Sequence, residues 1–228
     1  MIGRTLAVGD IHGCSTQLEA LLLGVVPTPS DNFVFLGDFV DRGPDSAGVI
    51  SRVLTLSRSH RATALKGNHE QMMLEARTSN DKRADWLSNG GDATLRSYGG
   101  IHATLADIPS DHWKFIEEQL VDYLETDSHI FVHASAYPDM AMDEQPDYML
   151  RWESCDTITA HESGKTIVCG HTPQKTGRPL NKGFAVCLDT NACRGGMLTC
   201  LDTVSGRIWQ ADADCRVRKW HVSDFFDD

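Results

Sequence analysis

The chain has 228 residues, 41% hydrophobic and 23% charged, which are ordinary values for one globular domain with a substantial core. Its formal net charge of −11 disfavours nucleic acids and anionic membranes as partners, because both are negatively charged. Seven cysteines without a CxxC pair, and a start (MIGRTLAV) with neither a basic nor a long apolar stretch, predict reduced thiols and a cytoplasmic location.

The first third of the chain repeats a unit of short strand, polar loop and helix. Strands are predicted where apolar or β-branched runs end at or near a glycine, at 6–8, 33–36 and 62–65. Helices are predicted from apolar residues at helical spacing, at 15–24, 45–58 and 69–77. The loops that follow the strands carry three short strings, GDIHG (9–13), GDFVDRG (37–43) and GNHE (67–70).

The rest of the chain contains a polar segment followed by a segment rich in predicted strands. The segment 79–110 is rich in Ser, Asn, Gly and Asp, and we expect it to form a helical cap beside the loops, followed by a helix at 111–121. After Thr126 the pattern is that of strands, at 129–134, 166–170, 184–190, 197–203 and 206–212, with a further strand within 211–228. No linker or low-complexity stretch interrupts the chain, which predicts a single domain over 1–228.

Six side chains of metal-ligand type follow the predicted strands. Because ligands gather beyond the carboxyl ends of parallel strands, we expect these side chains to converge. Asp10 and His12 are two residues apart and can reach one cation together, and Asp38 has enough lone pairs to bridge two. The remaining three candidates are an amide and two histidines: Asn68, His133 and His171.

This mixed set of oxygen and nitrogen ligands favours Mn, Fe or Zn over Ca, and the lack of cysteine among the ligands argues against a structural zinc site. Six ligands are too many for one catalytic ion that keeps positions open for substrate. Two ions about 3.5 to 4 Å apart fit the set better.

The strings GDxHG, GDxxDRG, GNHE, VHA (132–134) and GHT (170–172), in this order, resemble those of the phosphoprotein phosphatase family of binuclear metallophosphatases. WLSNGGDATLRSYG (86–99) also resembles the bacterial and phage branch of that family. The resemblance runs from about Thr5 to about Thr203. It implies an α/β fold in which two mixed β-sheets pack as a sandwich flanked by helices, with the metals between the sheet ends.

By this resemblance, one metal would be held by Asp10, His12 and Asp38, and the other by Asp38, Asn68, His133 and His171. The nucleophile would be a solvent-derived hydroxide that bridges them. Manganese is the ion we expect, with iron or zinc as alternatives.

The resemblance and the charges that a phosphoryl group requires also imply four catalytic side chains. His69 would protonate the leaving oxygen, and Asp41 would orient its ring. Arg42 would bind two phosphate oxygens with its planar guanidinium. Arg151 is the candidate for a second phosphate-binding arginine, although its flanking string YMLRWES departs from the family's Leu-Leu-Trp-x-Arg.

Two further departures border the expected pocket, within LDTNACRGGMLTCL (188–201). Asn191 stands where the family has glycine, and Arg194 stands where an aromatic residue is common. Both changes could alter the choice of substrate.

The expected activity is hydrolysis of phosphomonoesters by a monomeric Ser/Thr protein phosphatase, with dual specificity as a variant, acting on phosphoproteins or small phosphoesters. The alternative is a symmetrical dinucleoside tetraphosphate hydrolase, which would need to stack two adenines, and only Tyr98, Trp86 and Trp152 are candidates for that. Those hydrolases also often carry Gln in place of His12. A third hypothesis is a phosphopeptide-binding module without catalytic activity. It is disfavoured because every expected metal ligand and the acid His69 are present.

Overall fold

Eleven strands make up the β-structure of the computed structural model, which describes residues 3–226. They are β1 Thr5–Val8, β2 Asn32–Phe35, β3 Arg61–Ala64, β4 Tyr123–Glu125, β5 His129–Val132, β6 Thr166–Cys169, β7 Leu180–Asn181, β8 Ala185–Cys187, β9 Leu198–Asp202, β10 Arg207–Ala211 and β11 Val217–His221. One sheet has the order β11-β10-β9-β1-β2-β3, and the other the order β4-β5-β6-β8-β7. Both are mixed: β1 pairs parallel to β2 and antiparallel to β9, and β5 pairs parallel to β6 and antiparallel to β4.

Seven α-helices are present in this part of the chain: α1 Ser15–Val25, α2 Ser46–Ser57, α3 Asn68–Glu75, α4 Asn80–Trp86, α5 Asp92–Gly99, α6 Ser110–Lys114 and α7 Asp147–Trp152. Two π-helical turns continue α4 and α6, over Leu87–Gly91 and Phe115–Gln119. Short 3₁₀ turns occur at Gly100–His102, Leu105–Asp107, Cys155–Thr157, Ala192–Arg194 and Val222–Phe225. Between residues 3 and 226, no helix has both the length and the apolar character needed to cross a membrane.

The alternation of side chains along each strand explains the layers. In β1, Leu6 and Val8 pack into the core that α1 and α2 cover, whereas Ala7 points into the core between the sheets. In β5, Phe131 reaches the same inter-sheet core from the opposite side. The strand β1 is therefore buried on both faces, and the predicted sandwich with flanking helices is confirmed.

The helix predicted at 69–77 ends at Glu75, and the helix predicted at 111–121 also ends two residues early. The pattern at 111–121 gives α6 and its π-helical turn, which end at Gln119. Val121 instead donates its backbone N–H to Ala64 at 3.0 Å and accepts from Lys66 at 2.8 Å, so it extends the chain alongside the end of β3. This long-range pairing overrides the helical pattern of the last residues.

Other differences concern short elements. The sequence did not predict β4, β7 or α7, which have three, two and six residues and too little length for a periodic signal. The predicted strand within 211–228 is β11. The ends of the predicted domain, residues 1–2 and 227–228, lie outside the described residues.

Candidate metal centre

The six predicted ligands follow the carboxyl ends of strands in both sheets. Loops after β1 and β2 supply Asp10, His12 and Asp38, the first residue of α3 after β3 is Asn68, and loops after β5 and β6 supply His133 and His171. The structure brings all six together. Five of the side chains are buried, and His171 is half-buried.

Asp38 lies at the centre of this group, with 1% of its surface exposed. One carboxylate oxygen, Oδ2, is 3.3 Å from His12 Nε2, and the other, Oδ1, is 3.5 Å from His133 Nε2. The two oxygens therefore face histidines on opposite sides. This arrangement matches a carboxylate that serves two ions.

The hydrogen bonds of His12 and His133 to backbone carbonyls show which ring nitrogen carries the hydrogen. His12 Nδ1 is 2.8 Å from the Val40 carbonyl and His133 Nδ1 is 2.7 Å from the Leu36 carbonyl, so each Nδ1 donates a hydrogen. Burial lowers the pKa of His133 to about 4, which keeps that ring neutral and leaves a lone pair on Nε2. Lone pairs of nitrogen and carboxylate that face each other suit a cation between them.

Asn68 and His171 complete one side of the group. Asn68 Oδ1 lies 3.2 Å from His133 Nε2 and 3.2 Å from His171 Nδ1. His171 Nε2 is 3.1 Å from the Trp152 carbonyl and donates to it, which leaves Nδ1 as the nitrogen able to bind metal.

Asp10 accepts the backbone N–H of His171 at 3.0 Å. Burial and the neighbouring carboxylates of Asp189 and Asp38 raise its pKa well above the ordinary value. Potential ligand atoms of Asp10, Asp38 and His133 lie within 4.8 Å of one another. Crowded and buried negative charge of this kind is stabilised by bound cations, so the donor set fits metal ions.

His12 and Asp38 form a second such trio with His69, which was not predicted as a ligand. His69 Nε2 is 3.9 Å from Asp38 Oδ2, farther than the corresponding distance for His12. Its Nδ1 lies 2.7 Å from Asp41 Oδ2, so His69 is held by a carboxylate on the side away from the centre.

Two glycines allow these loops to approach closely. A Cβ atom on Gly67 would lie 2.1 Å from Asp38 Oδ1, and one on Gly170 would lie 2.0 Å from Asp10 Oδ1. Any side chain at either position would displace a carboxylate oxygen. The glycines of GNHE and GHT are therefore required by the position of the carboxylates.

The backbone at the centre is also strained. Five non-glycine residues there have positive φ angles: His12 (44°), Asp38 (52°), Asp41 (72°), Arg42 (68°) and His171 (63°). Such conformations cost free energy and persist where the surrounding structure enforces them, typically at functional sites.

Asp41 holds His69 from a fully buried position. Its carboxylate also accepts hydrogen bonds from Trp86 Nε1 at 2.9 Å and from the Thr94 hydroxyl at 2.7 Å. The Asp41 backbone N–H in turn donates to Thr94 Oγ1 at 2.8 Å. Sequence reasoning identified Asp41 but not its two partners, which lie in WLSNGGDATL and reach Asp41 from the segment after α3.

Glu70 was also missed, although it is the last residue of GNHE. It is fully buried, and its carboxylate accepts backbone N–H groups from Asp38, Phe39, Val40 and Gly67 at 2.8 to 3.2 Å. Burial and the nearby Asp38 raise its pKa to about 8. Glu70 thus ties the loop after β2 to the start of α3 and sets the position of Asp38.

The two predicted arginines differ in their surroundings. Arg42 is exposed, and its Nη1 lies 2.8 Å from His12 Nε2, at the edge of the centre. Arg151 is buried in α7, and its guanidinium pairs with Asp122 at 2.5 Å and with Asp147 at 2.7 Å. The structure places Arg42 against a predicted ligand, whereas the charge of Arg151 is engaged by two carboxylates.

Asn191 has a φ of 64°, in the left-handed region that glycine adopts without strain and that asparagine tolerates best among other residues. This explains physically why a glycine is expected there and why asparagine can replace it.

Comparison with known proteins agrees with this architecture. A sequence profile of the calcineurin-like phosphoesterase family matches residues 3–175. The chain is 34% identical to serine/threonine-protein phosphatase 1 of Salmonella typhimurium over 204 residues, which cover 84% of this chain and 88% of that protein. It is also 27% identical to the symmetrical bis(5'-nucleosyl)-tetraphosphatase of Janthinobacterium sp. over 176 residues, 73% of this chain but only 52% of that protein.

Among solved structures, one provisionally described as a diadenosine tetraphosphatase superposes with a TM-score of 0.66 at 23% identity, covering 97% of this chain and 94% of that one. At this identity the likeness shows the fold alone.

Proposed function

Because the chain belongs to the calcineurin-like metallophosphoesterase family, whose members use a binuclear metal centre, we propose that it is a phosphomonoester hydrolase acting on phosphoserine and phosphothreonine proteins. The observation that carries this proposal is the buried His69–Asp41 pair beside the shared carboxylate of Asp38. An acid positioned in this way assists the departure of a poor leaving group such as a serine alkoxide.

In this proposal Asp10, His12 and Asp38 hold one ion, and Asp38, Asn68, His133 and His171 hold the other. Manganese is the proposed ion, and iron or zinc would suit the same ligands. When bound, the pair of ions supplies a nucleophile from water at neutral pH and neutralises charge on the phosphoryl oxygens.

His69 acts as the general acid. Its Nδ1–H donates to Asp41, which fixes the ring and leaves Nε2 to carry the proton that the leaving oxygen receives. Trp86 and Thr94 keep the Asp41 carboxylate in place, so the ring cannot turn without losing its hydrogen bond to Asp41. The proton donor is therefore oriented before substrate binds.

Two arginines bind the phosphoryl group. The contact of Arg42 with His12 and its exposure support this role. Arg151 can take part if a phosphoryl oxygen replaces Asp147, which is its more exposed carboxylate partner. If Arg151 does so, Arg151→Ala should raise KM and lower kcat on phosphoesters. Unchanged kinetics would assign the second contact to another residue.

The aromatic side chains favour a phosphoester over a dinucleoside tetraphosphate. Trp86 is fully buried and bonded to Asp41, and the hydroxyl of Tyr98 is 2.8 Å from His112 Nδ1 in the core. Of the three aromatic candidates, Trp152 alone is exposed, with 41% of its surface accessible. Stacking for two adenines is therefore lacking among these residues.

The proposal is tested by measuring phosphate release from a phosphoserine peptide and from diadenosine tetraphosphate by the manganese-loaded protein, with a chelated sample as control. Turnover of the peptide that is lost on chelation is expected. Cleavage of the dinucleotide with little peptide turnover would retain the metal centre and overturn the choice of substrate. The monomeric state, the cytoplasmic location and the role of 79–110 as a cap stay predictions.

A further inference from the structure

A cavity of about 340 Å³ opens beside Arg42, and three arginines line it. They are Arg42, Arg96 and Arg194, with Ser88, Asn89 and Asp92 among the other lining residues. Apart from Arg42, none of these five named residues belongs to the predicted metal and phosphoryl sites. The cavity, called the arginine cavity below, is thus a separate space that shares one wall with the reaction centre.

The arginine cavity is positively charged, whereas the whole protein is negatively charged. It contains three guanidinium groups and one carboxylate, although the chain has a formal net charge of −11. Arg96 pairs with Asp92 at 2.7 Å, which neutralises one of the three. Within residues 3–226, Arg194 pairs with no carboxylate, so its five N–H donors are available to a ligand.

Both walls of the arginine cavity are held by the backbone. On one side, the Gly90 carbonyl of the π-helical turn accepts the Arg42 backbone N–H at 3.1 Å. On the other side, Arg194 ends a 3₁₀ turn, and the Asn191 carbonyl accepts the backbone N–H of Arg194 at 3.1 Å and that of Gly196, just after the turn, at 2.9 Å. The arginines therefore extend from turns with defined positions, as a binding site requires.

Arg42 links this space to the chemistry. Its Nη1 reaches His12 Nε2, and the same residue lines the cavity. A substrate whose phosphoryl group lies against Arg42 would place groups a residue or two away, roughly 7 Å along an extended peptide, within reach of Arg194. An apolar group there would desolvate guanidinium groups without compensation, whereas an anion would pair with them.

We propose that the arginine cavity binds a second anionic group of the substrate, a phosphate or a carboxylate that neighbours the phosphoester to be hydrolysed. The inference rests on the proposed function, because it assumes a phosphopeptide as substrate. In this proposal Arg194 determines specificity by binding the second anionic group. Arg96 contributes less to that binding, because Asp92 already neutralises its charge.

The test uses three peptides that carry a non-hydrolysable phosphonate analogue of phosphoserine and differ at one position two residues away, which is alanine, glutamate or phosphoserine. Their Kd values are measured by fluorescence anisotropy with the manganese-loaded protein. We expect glutamate to tighten binding about 5-fold over alanine, as for one exposed ion pair, and phosphoserine to tighten it further. A gain with glutamate distinguishes a carboxylate-accepting site from one that accepts only phosphate.

Selectivity is expressed as the Kd of the alanine peptide divided by the Kd of the glutamate peptide. Arg194→Ala should reduce this ratio to below about 2, and Arg194→Lys should retain part of the selectivity. The matched control is Arg58→Ala, which removes the same charge from an exposed position at the far end of α2 and should leave the ratio as in the wild type. Equal Kd values for the three peptides, no measurable binding, or an equal loss in Arg58→Ala would overturn the proposal. Because this readout needs no turnover, selective binding without hydrolysis of the parent phosphopeptides would overturn the proposed function alone.

Discussion

Replacing His69 with asparagine tests the proton-donating role at the site. The side chain is 1% exposed and its Nε2 lies 3.9 Å from Asp38 Oδ2, so it can reach the leaving oxygen of a phosphoryl group bound at the centre. Loss of a general acid lowers a rate by roughly 10² to 10⁴, which corresponds to about 3 to 5 kcal/mol of transition-state stabilisation. We expect a loss of this size on a phosphoserine peptide, whose alkoxide leaving group needs a proton.

The structure also predicts what His69→Asn leaves intact. The buried Asp41 carboxylate keeps its hydrogen-bond donors Trp86 and Thr94, and the six proposed ligands are unchanged. Metal content, measured by mass spectrometry, should therefore stay near the wild-type value.

The assay compares kcat on the phosphoserine peptide with kcat on p-nitrophenyl phosphate, whose leaving group needs little protonation. The loss should be much smaller on the second substrate. The exposed His102 provides a control, because His102→Asn should change neither rate. Equal losses on the two substrates would refute the role of His69 as an acid.

Three further outcomes are expected. Asp38→Asn should strip metal and abolish hydrolysis of p-nitrophenyl phosphate, because one side chain faces both halves of the centre; wild-type metal content and rate would contradict this. Thr94→Val should lower the free energy of unfolding in urea by about 2 kcal/mol and reduce the rate, since the buried Asp41 loses a donor and an acceptor, whereas Thr94→Ser should behave like the wild type. The Arg4 guanidinium, helped by the Thr28 backbone N–H, holds the pKa of Asp31 well below its usual range. Ionised Asp31 therefore contributes stability, about 2 kcal/mol, at pH values above the unfolded-state pKa, and this is lost as pH falls towards the folded-state pKa. The gap in urea stability between wild type and Asp31→Asn should shrink between pH 7 and pH 3, and a constant gap would contradict the assignment.

The sequence predicted those parts of the fold whose signal is local. The strands β1, β2, β5 and β6 are short apolar runs closed by polar loops, and the structure places them with shifts of one or two residues at their ends. The family and the sandwich architecture followed from motifs at those strand ends. Convergence of the six side chains was predicted because each follows a predicted strand and ligands gather beyond the carboxyl ends of strands, and the division of these side chains between two ions came from the resemblance.

What the sequence could not supply depends on contacts between distant segments. Trp86 and Thr94 are separated from Asp41 by about 50 positions, and nothing in their local pattern indicates a hydrogen bond to a buried carboxylate. The end of the helix predicted at 111–121 was set by pairing of Val121 with the chain after β3. Ion pairing of Arg151 likewise depends on Asp122, a residue from another segment.

The cysteines give a further example. The sequence shows seven dispersed thiols, yet the sulfur atoms of Cys155, Cys169 and Cys187 lie within 4.8 Å of one another in the core behind the loop that carries His171. Cys187 donates to the Gly170 carbonyl at 3.2 Å. Cys169 and Cys187 lie opposite each other on the paired strands β6 and β8, whereas Cys155 begins a 3₁₀ turn, so the cluster becomes visible only in the folded structure.

The most direct test of the metal centre is an anomalous difference map from a manganese-soaked crystal of the protein. Two peaks about 3.5 to 4 Å apart are expected, with the Asp38 carboxylate between them and the histidine nitrogens identified above as ligands. A single peak, or peaks away from these residues, would contradict the binuclear centre on which the proposed chemistry depends.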